Sequence, residues 1–590
     1  MRFFRHPAIL RTIPRALLGA LVLGALACAA SPRPFALRDP FTRDGDLDPV
    51  SVPCRPDPSP SDPARTRCAP ASYESPWVWD QLDNSAFARA STALAVDVAG
   101  EAANANSLDE VADSAWFENR LGARPQPLDQ LALGGCTADD MLPPPGDVPD
   151  GAWIVDHGKD NGSSLGFRIE VPGKGRYMLK ADEPRAPEHA SAAAVIGQAI
   201  YHASGFHTPC EQVVYLRRSQ LKLLPGLVRI DNKRFTQPFD DKALDAVLAT
   251  SAHRGELVRM TASKWLPGVT LGPFRYVGTR DDDPGDVIDH ENRRELRGGR
   301  LLAAWLNHWD AREQNSMDVW LARDPARPRS SPGHVRHYIM DTSDAIGQSP
   351  TARELGGRMG YSYNFDVGQV LGDFLSLGAI ERPWDRAVRT PGREKFGYFS
   401  VRDFDPETWK TAYPNPAFLR MTERDAAWMA RLIARFTRAD LRAIAGAAQF
   451  TDASDADYIT QVLVERQRVI LHRYLTRLSP LTDVQSRAGR VCVRDLARVH
   501  GLFSPSYFHY EITELASGAS VQLPSTIEAD GMVCFTPRSM QPASDLSDGD
   551  PRRLVVIRIR NGTGAGPLDI HAYDLGARGL RIVGLERPAP

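Results

Sequence analysis

The alternation of apolar and polar positions changes character three times along the chain. Between residues 152 and 181 the runs GAWIVDHGKD, SSLGFRIEV and GRYMLKAD alternate, parted by glycine-containing turns. They predict a meander of three short strands. Ala190–Ala203 then carries Val195, Ile196, Ala199, Ile200 and Ala203 on one helical face, with Gly205 placed to stop the helix. EQVVYL reads as a further strand. Helical periodicity dominates afterwards. ENRRELRGGRLLAAWLNHW aligns Leu296, Leu302, Trp305 and Leu306 on one stripe, and AAWMARLIARF and ITQVLVERQRVILHRYLTRL are long and amphipathic. From about residue 486 the pattern returns to short alternating runs, YFHYEITEL, SVQL, MVCFTP, RLVVIRIRN, LDIHAYDL and LRIVGLER, which predict a small antiparallel β-domain of sandwich type. The class is α+β, without internal repeats or coiled-coil heptads.

Ahead of the first strand the composition shifts. Residues 29–75 are rich in Pro, Asp, Arg and Ser and read as a loosely ordered tether. Residues 85–120 are helical in part and end in EVADSAWFENR, where Trp116 and Phe117 are placed to dock this arm on the body. MLPPPGDVPDG, 141–151, is a linker. The division expected is a targeting segment (1–28), a tether (29–84), an arm with its linker (85–150), a core domain (151–485) and the β-domain (486–590).

Bulk properties change this picture little. A chain of 590 residues has room for two or three domains, and 42% hydrophobic with 24% charged residues is ordinary for a soluble globular protein. A net charge of −2 gives no sign of a nucleic-acid partner. The N-terminus matters more. Arg2, Arg5, Arg11 and Arg15 precede the apolar run Ala16–Ala27, too short for a stable membrane anchor, as in a signal peptide. The run ends ALAC, resembling a lipobox in which Cys28 is lipidated and tethers the protein to a membrane, although Ala25 stands where leucine is usual. Simple secretion with cleavage at A-x-A is the alternative. Either route exports the chain, to the cell envelope in the first case. The other six cysteines are even in number, which in an exported chain favours disulfides: Cys54–Cys68 across a Pro-rich loop, Cys492–Cys534 within the last domain, and Cys136–Cys210 as the remainder. No Cys/His spacing suggests zinc.

Candidate chemistry gathers at residues 299–320, GRLLAAWLNHWDAREQNSMDVW, which contain His308-x-Asp310-x-Arg312-x-x-Asn315, followed by the apolar run HYIM ending in Asp341. In phosphoryl transfer a carboxylate takes the proton of the attacking hydroxyl, while an amide and a second carboxylate hold the metal against the phosphates. The first two must share one short loop to converge. Asp310 is the candidate base, Asn315 and Asp341 the metal ligands, His308 the brace of the loop, and Arg312 a cation near the transferred phosphate. Lys180, ending YMLK, suits a phosphate clamp. The turn HGKDNGSSLGF offers Lys159, Gly162, Ser163 and Gly166 to phosphate, although Gly-rich hairpin turns are commonplace. Kinases pair the clamp lysine with a Glu of the next helix. Residues 190–203 contain no acid, which leaves Glu188 as the nearest candidate. The acidic run Asp281–Asp283 with Asp286 and Asp289 has no calcium-loop spacing and reads as a solvated loop.

With these residues in view, the chain resembles the atypical kinase-like superfamily, which includes HipA-type toxin kinases, CotH-type spore-coat kinases and secretory-pathway kinases. It resembles more closely a group of exported bacterial proteins. The segments carrying the likeness, within residues 108–480, are SAWFENR, GKDNGSSLGF, YMLK, ASGFHTP, LGPFRYVGTRDDDP, ENRRELRGGRLLAAWLNHWDAREQNSMD, HYIMD and DFDPETWKTAYPNPAF. The resemblance implies a two-lobed core, β-rich then helical, using ATP with Mg²⁺ or Mn²⁺ to phosphorylate a protein or small-molecule acceptor. It departs from the pattern at Ala194, where relatives have Glu, and at Thr342-Ser343, which replace the usual Phe-Gly. Those departures, and the scarcity of ATP outside the cytoplasm, leave a second expectation, a non-catalytic envelope lipoprotein that binds a partner or glycan, with Tyr507, Phe508 and Tyr510 of the β-domain as candidate contacts.

Overall fold

The computed structural model describes Phe35 and residues 44–590, apart from 57–61, 63, 65, 95–99, 161–163, 231–234, 348–358, 403, 488, 517–518 and 539–545. Cys28, Gly162 and Ser163 lie outside the described residues.

The predicted meander is present. Strands β1 (Trp153–Gly158), β2 (Gly166–Val171) and β3 (Gly175–Ala181) pair antiparallel in sequence. Helix α1 (His189–Ser204) follows, stopped by Gly205 at φ 118°, where a Cβ would strike the Phe117 ring. After it come β4 (Glu211–Leu216) and β5 (Leu257–Lys264). β5 pairs with both β3 and β4, and two short strands complete a seven-stranded sheet. One face of this sheet buries Val155, Phe167, Leu179, Leu216 and Met260 in a core of its own.

A second, larger core is helical. Its centre is α2 (Arg294–Leu306), whose Leu296, Leu302, Trp305 and Leu306 are buried as the stripe predicted. Helices α3 (Glu423–Ile433), α4 (Arg438–Ala447) and α5 (Ala453–Tyr474) supply Trp428, Leu441 and Leu463 to the same core, and α1 contributes Ile196. The arm docks as expected: Phe117 joins this core, and Trp116 stacks on His337 at 3.5 Å. The hairpin β6 (Ser316–Ala322) and β7 (Gly333–Ile339) carries the loop 323–332 at its far end. Seven residues at ~3.4 Å each keep that loop more than about 20 Å from Asn315.

Two sheets close the chain, one of four strands and one of five. They share a single apolar core, with Val491, Val493 and Phe535 from the first and Ile512, Ile557 and Ile570 from the second. The first strand begins at Leu481, five residues before the predicted boundary. Of the aromatic trio proposed as contacts, Tyr507 is exposed, Phe508 is buried and Tyr510 donates to Asp495 at 3.1 Å.

All three expected disulfides are formed, and they are those of a chain matured in an oxidising compartment. No helix among the described residues is long and apolar enough to cross a membrane.

Two expectations need correction. The tether is built into the body from residue 44 onward: Asp46 is buried against Arg293, Val50 pairs with Gly333, and the Tyr73 amide donates to Leu271 at 2.7 Å. The acidic run is not a solvated loop either. Asp283 and Asp286 are buried, Asp286 sits 2.7 Å from His290 Nε2 and also faces Arg293, and Arg280 joins Asp282 to Asp318. Its charges neutralise buried arginines, which cannot be left unpaired.

Candidate functional site

Three elements bring the candidate residues together. β3 carries Lys180 one residue before its end, the segment after α2 carries His308 to Asn315, and the chain leaving β7 carries Asp341. Asn307, left-handed at φ 53°, ends α2 and turns the chain into that segment. The Met340 amide then donates to the Asn315 carbonyl at 2.9 Å, so Asp341 is fastened beside the same loop. Asp341 itself is left-handed at φ 43°, a conformation that costs a non-glycine residue energy and is held by its surroundings.

Lys180 Nζ and Asp341 Oδ1 are 3.2 Å apart, and Ser343 donates to the same carboxylate at 2.6 Å. Burial pushes the Asp341 carboxyl up, but Lys180, Ser343 and Lys159 more than offset this and hold it well below the usual carboxylate range. Burial alone would lower Lys180; Asp341 and Glu211 outweigh it and keep the ammonium protonated. Lys159 reaches the same place from the β1–β2 turn, donating to the Ser164 carbonyl at 3.0 Å, and burial with the Lys180 charge lowers it to about 8. Gly166 sits opposite Lys180 in the sheet, where a Cβ would meet the Leu179 carbonyl at 2.2 Å. Its role is close backbone approach.

α1 offers Lys180 no acid; its ion-pair partner is Asp341, and a second carboxyl, on a strand, acts on it from farther off. Thr261 of β5 faces Lys180, and Ser263, two residues on and on the same face, faces Glu211 of β4. Glu211 is buried and bonded to Ser263. Burial raises its carboxyl while Lys180 draws it down. Glu188 is not the partner of Lys180. It turns outward at the start of α1, where it accepts from Lys395 at 3.0 Å and from the Thr451 hydroxyl at 2.5 Å. The two sequence departures explain each other. Thr342 donates to the Ala194 carbonyl at 3.1 Å and lies where a Gly197 Cβ would sit 2.5 Å from its hydroxyl. The small residues of α1 make room for the segment that follows Asp341.

Asp310 is held from three sides. Arg312 Nε lies 2.8 Å from its Oδ1, Asn315 Nδ2 donates to its Oδ2 at 3.0 Å, and its own amide donates to Asp344 Oδ2 at 2.7 Å. Arg312 is thus engaged by the base, and Asn315 turns its carbonyl oxygen away from it. Burial and the neighbouring Asp344 charge push Asp310 up to about 7 against the pull of Arg312, and Asp344 is raised with it, so the two titrate as a pair. His308 is wholly buried, 3.0 Å from the Tyr201 hydroxyl and 3.4 Å from Asp344. Burial lowers it to about 4, so it is a neutral brace rather than a group that meets substrate. Glu211, Ser343, Asp344 and Tyr201 were not picked out from the sequence. Ser343 and Asp344, beside Asp341, could have been.

Among the described residues no group of three or more His, Cys, Asp and Glu side chains forms a metal cage. The candidate donors, the ionised Asp341 carboxylate and the side-chain Oδ1 of Asn315, are hard oxygens of the kind suited to Mg²⁺ or Mn²⁺ completed by phosphate oxygens.

No protein-family profile matches this chain, and no curated protein matches it. Among solved structures it is similar to the Golgi casein kinase, in a crystal structure with Mn/ADP bound and in another crystal structure. The identities are 11% and 12%, covering 52% of this chain and 76% of each of those, with TM-scores of 0.22 and 0.23.

Proposed function

We propose that this protein is an exported kinase-like phosphotransferase that uses ATP with Mg²⁺ or Mn²⁺ and transfers phosphate to a hydroxyl acceptor. The seven-stranded sheet unit would be its nucleotide-side lobe and the helical body its other lobe. The observation that carries this reading is the convergence of Lys180, Asp341, Asn315 and Asp310 from three separate chain segments, in the charge states the chemistry needs.

Lys180 and Lys159 would bind and orient the phosphates. Asp341 and the Asn315 carbonyl would hold the divalent ion, whose chemistry when bound is to neutralise charge on the phosphoryl oxygens. Asp310 would accept the acceptor's proton, a task suited to a carboxylate raised toward neutrality. Glu211 keeps Lys180 charged, and Asp344 and His308 position the loop.

A second reading, a binding module that has lost catalysis, is favoured by one observation: Arg312 already engages the Asp310 carboxylate. Nucleotide binding separates the two readings. At a ligand concentration of 100 Kd, Mg²⁺ or Mn²⁺ with nucleotide stabilises the wild type by about 2.7 kcal/mol, and Asp341→Ala loses that gain. No stabilisation with any nucleotide–metal pair would overturn the kinase reading.

A further inference from the structure

The helical run 77–94 is built inside out. Its first helix, Trp77–Leu82, has a single buried residue, and that residue is Asp80. Trp77 at 55% and Trp79 at 59% exposure stand in solvent, with Val78, Leu82 and Phe87 also exposed. A second helix, Val367–Leu375, has no buried residue at all. Phe374 is 75% exposed, Leu375 79%, and Leu377 on the turn beyond it 93%. Both helices are fastened by their polar groups. Asp80 accepts from Gln314 at 3.1 Å and from the Tyr413 hydroxyl. Asp366, the cap of the second helix, accepts from Lys410 at 2.6 Å, and Arg382 pairs with Asp373.

The two apolar faces belong to one region. The Asn364 amide donates to the Ala412 carbonyl, next to the Tyr413 whose hydroxyl donates to Asp80. Soluble proteins rarely leave such a patch uncovered.

We propose that this two-helix face docks on the surface of a lipid bilayer. Tryptophan, phenylalanine and leucine held outward by polar stays, with the most exposed side chains at a protruding tip, match the way interfacial helices enter the acyl boundary. Residues 359–402 contain six basic and five acidic side chains, so the attraction is apolar rather than electrostatic. The choice of a bilayer as occupant rests on the reading of Cys28 as a lipidated residue. Only six residues separate Cys28 from Phe35, whose carbonyl accepts from Tyr573 at 2.8 Å and whose ring packs on His571. An anchor at Cys28 would therefore keep the body within about 25 Å of the membrane. Because Asp80 also bonds Gln314, docking at this face adjoins the loop that carries Asp310.

The test is flotation of the full chain with neutral phosphatidylcholine vesicles, with Cys28→Ser in every protein so that the lipid plays no part. Bound protein is expected to fall at least about tenfold with Phe374→Ser, Leu375→Ser and Leu377→Ser together, and likewise with Trp77→Ser and Trp79→Ser together. High salt should have no effect and thermal stability should be unchanged, since these side chains are exposed. Flotation that neither variant reduces overturns the proposal. So does a homodimer by light scattering that the same substitutions dissociate, which would make a second copy the occupant. Nucleotide binding is read separately, so failure here leaves the kinase reading standing.

Discussion

Asp109→Ala is expected to cost about 3–5 kcal/mol of stability, read as a lowered midpoint in urea, because it takes a shared carboxylate from three buried arginines at once. Asp109 Oδ1 lies 2.6 Å from Arg294 Nη1, and its Oδ2 lies 3.2 Å from Arg431 Nη2 and 2.5 Å from Arg587 Nη1. These arginines come from α2, α3 and the end of the chain, so one carboxylate of the arm joins the helical core to the C-terminal sheets. Burial pushes Asp109 up, but the three guanidinium groups hold it well below the usual range. A folded carboxyl lowered in this way contributes stability above its unfolded pKa, and that stability is lost only in strong acid. The Asp109→Ala loss should therefore be flat across neutral pH. A change under about 1 kcal/mol, the usual worth of a surface pair, would show that this junction is not holding the parts together.

Asp310→Asn should lower turnover by about 10²–10⁴-fold while nucleotide affinity stays nearly unchanged, since the amide keeps the shape of the loop and loses only the base. Wild-type turnover should rise as pH passes through about 7, because the ionised form of Asp310 does the work. The same raised carboxyl means that the folded state binds more protons than the unfolded state below that pH. Its contribution to stability is present in acid and lost as pH rises through about 7, so activity and stability should move in opposite directions. Asp344→Asn removes the neighbouring charge and should carry the activity limb to lower pH. Turnover in Asp310→Asn equal to that of an active wild type would remove Asp310 from the role of base, and no turnover in the wild type would favour the binding-module reading.

The parts of this site that lie along the chain were legible in the sequence. The β1–β3 meander, the glycine stop at Gly205, the stripe on α2 and the loop from His308 to Asn315 each follow from local periodicity or spacing. What could not be read is pairing across the sheet. Glu211 and Lys180 are 31 positions apart and share one face of the sheet only because β5 lies between their strands, facing them with Ser263 and Thr261. The loss of an acid at Ala194 looked like decay of the site. In the fold the Ala194 carbonyl accepts from Thr342, Gly197 leaves the room that this hydroxyl needs, and Lys180 is paired by Asp341. Composition misled most in residues 44–84, where Pro, Asp and Arg suggested a solvated tether. A charged segment is drawn into the body when its carboxylates find buried arginines, as Asp46 does at Arg293. The exposed faces of Trp77–Leu82 and Val367–Leu375 were invisible for the converse reason, since periodicity shows an apolar stripe but not what covers it.

The most direct measurement is the anomalous signal of Mn²⁺ in crystals grown with a non-hydrolysable ATP analogue. A kinase-like site would give a manganese peak beside the Asp341 carboxylate and the Asn315 side chain, with the analogue's phosphates against Lys180. No peak there at saturating Mn²⁺, or phosphates bound away from Lys180, would contradict it.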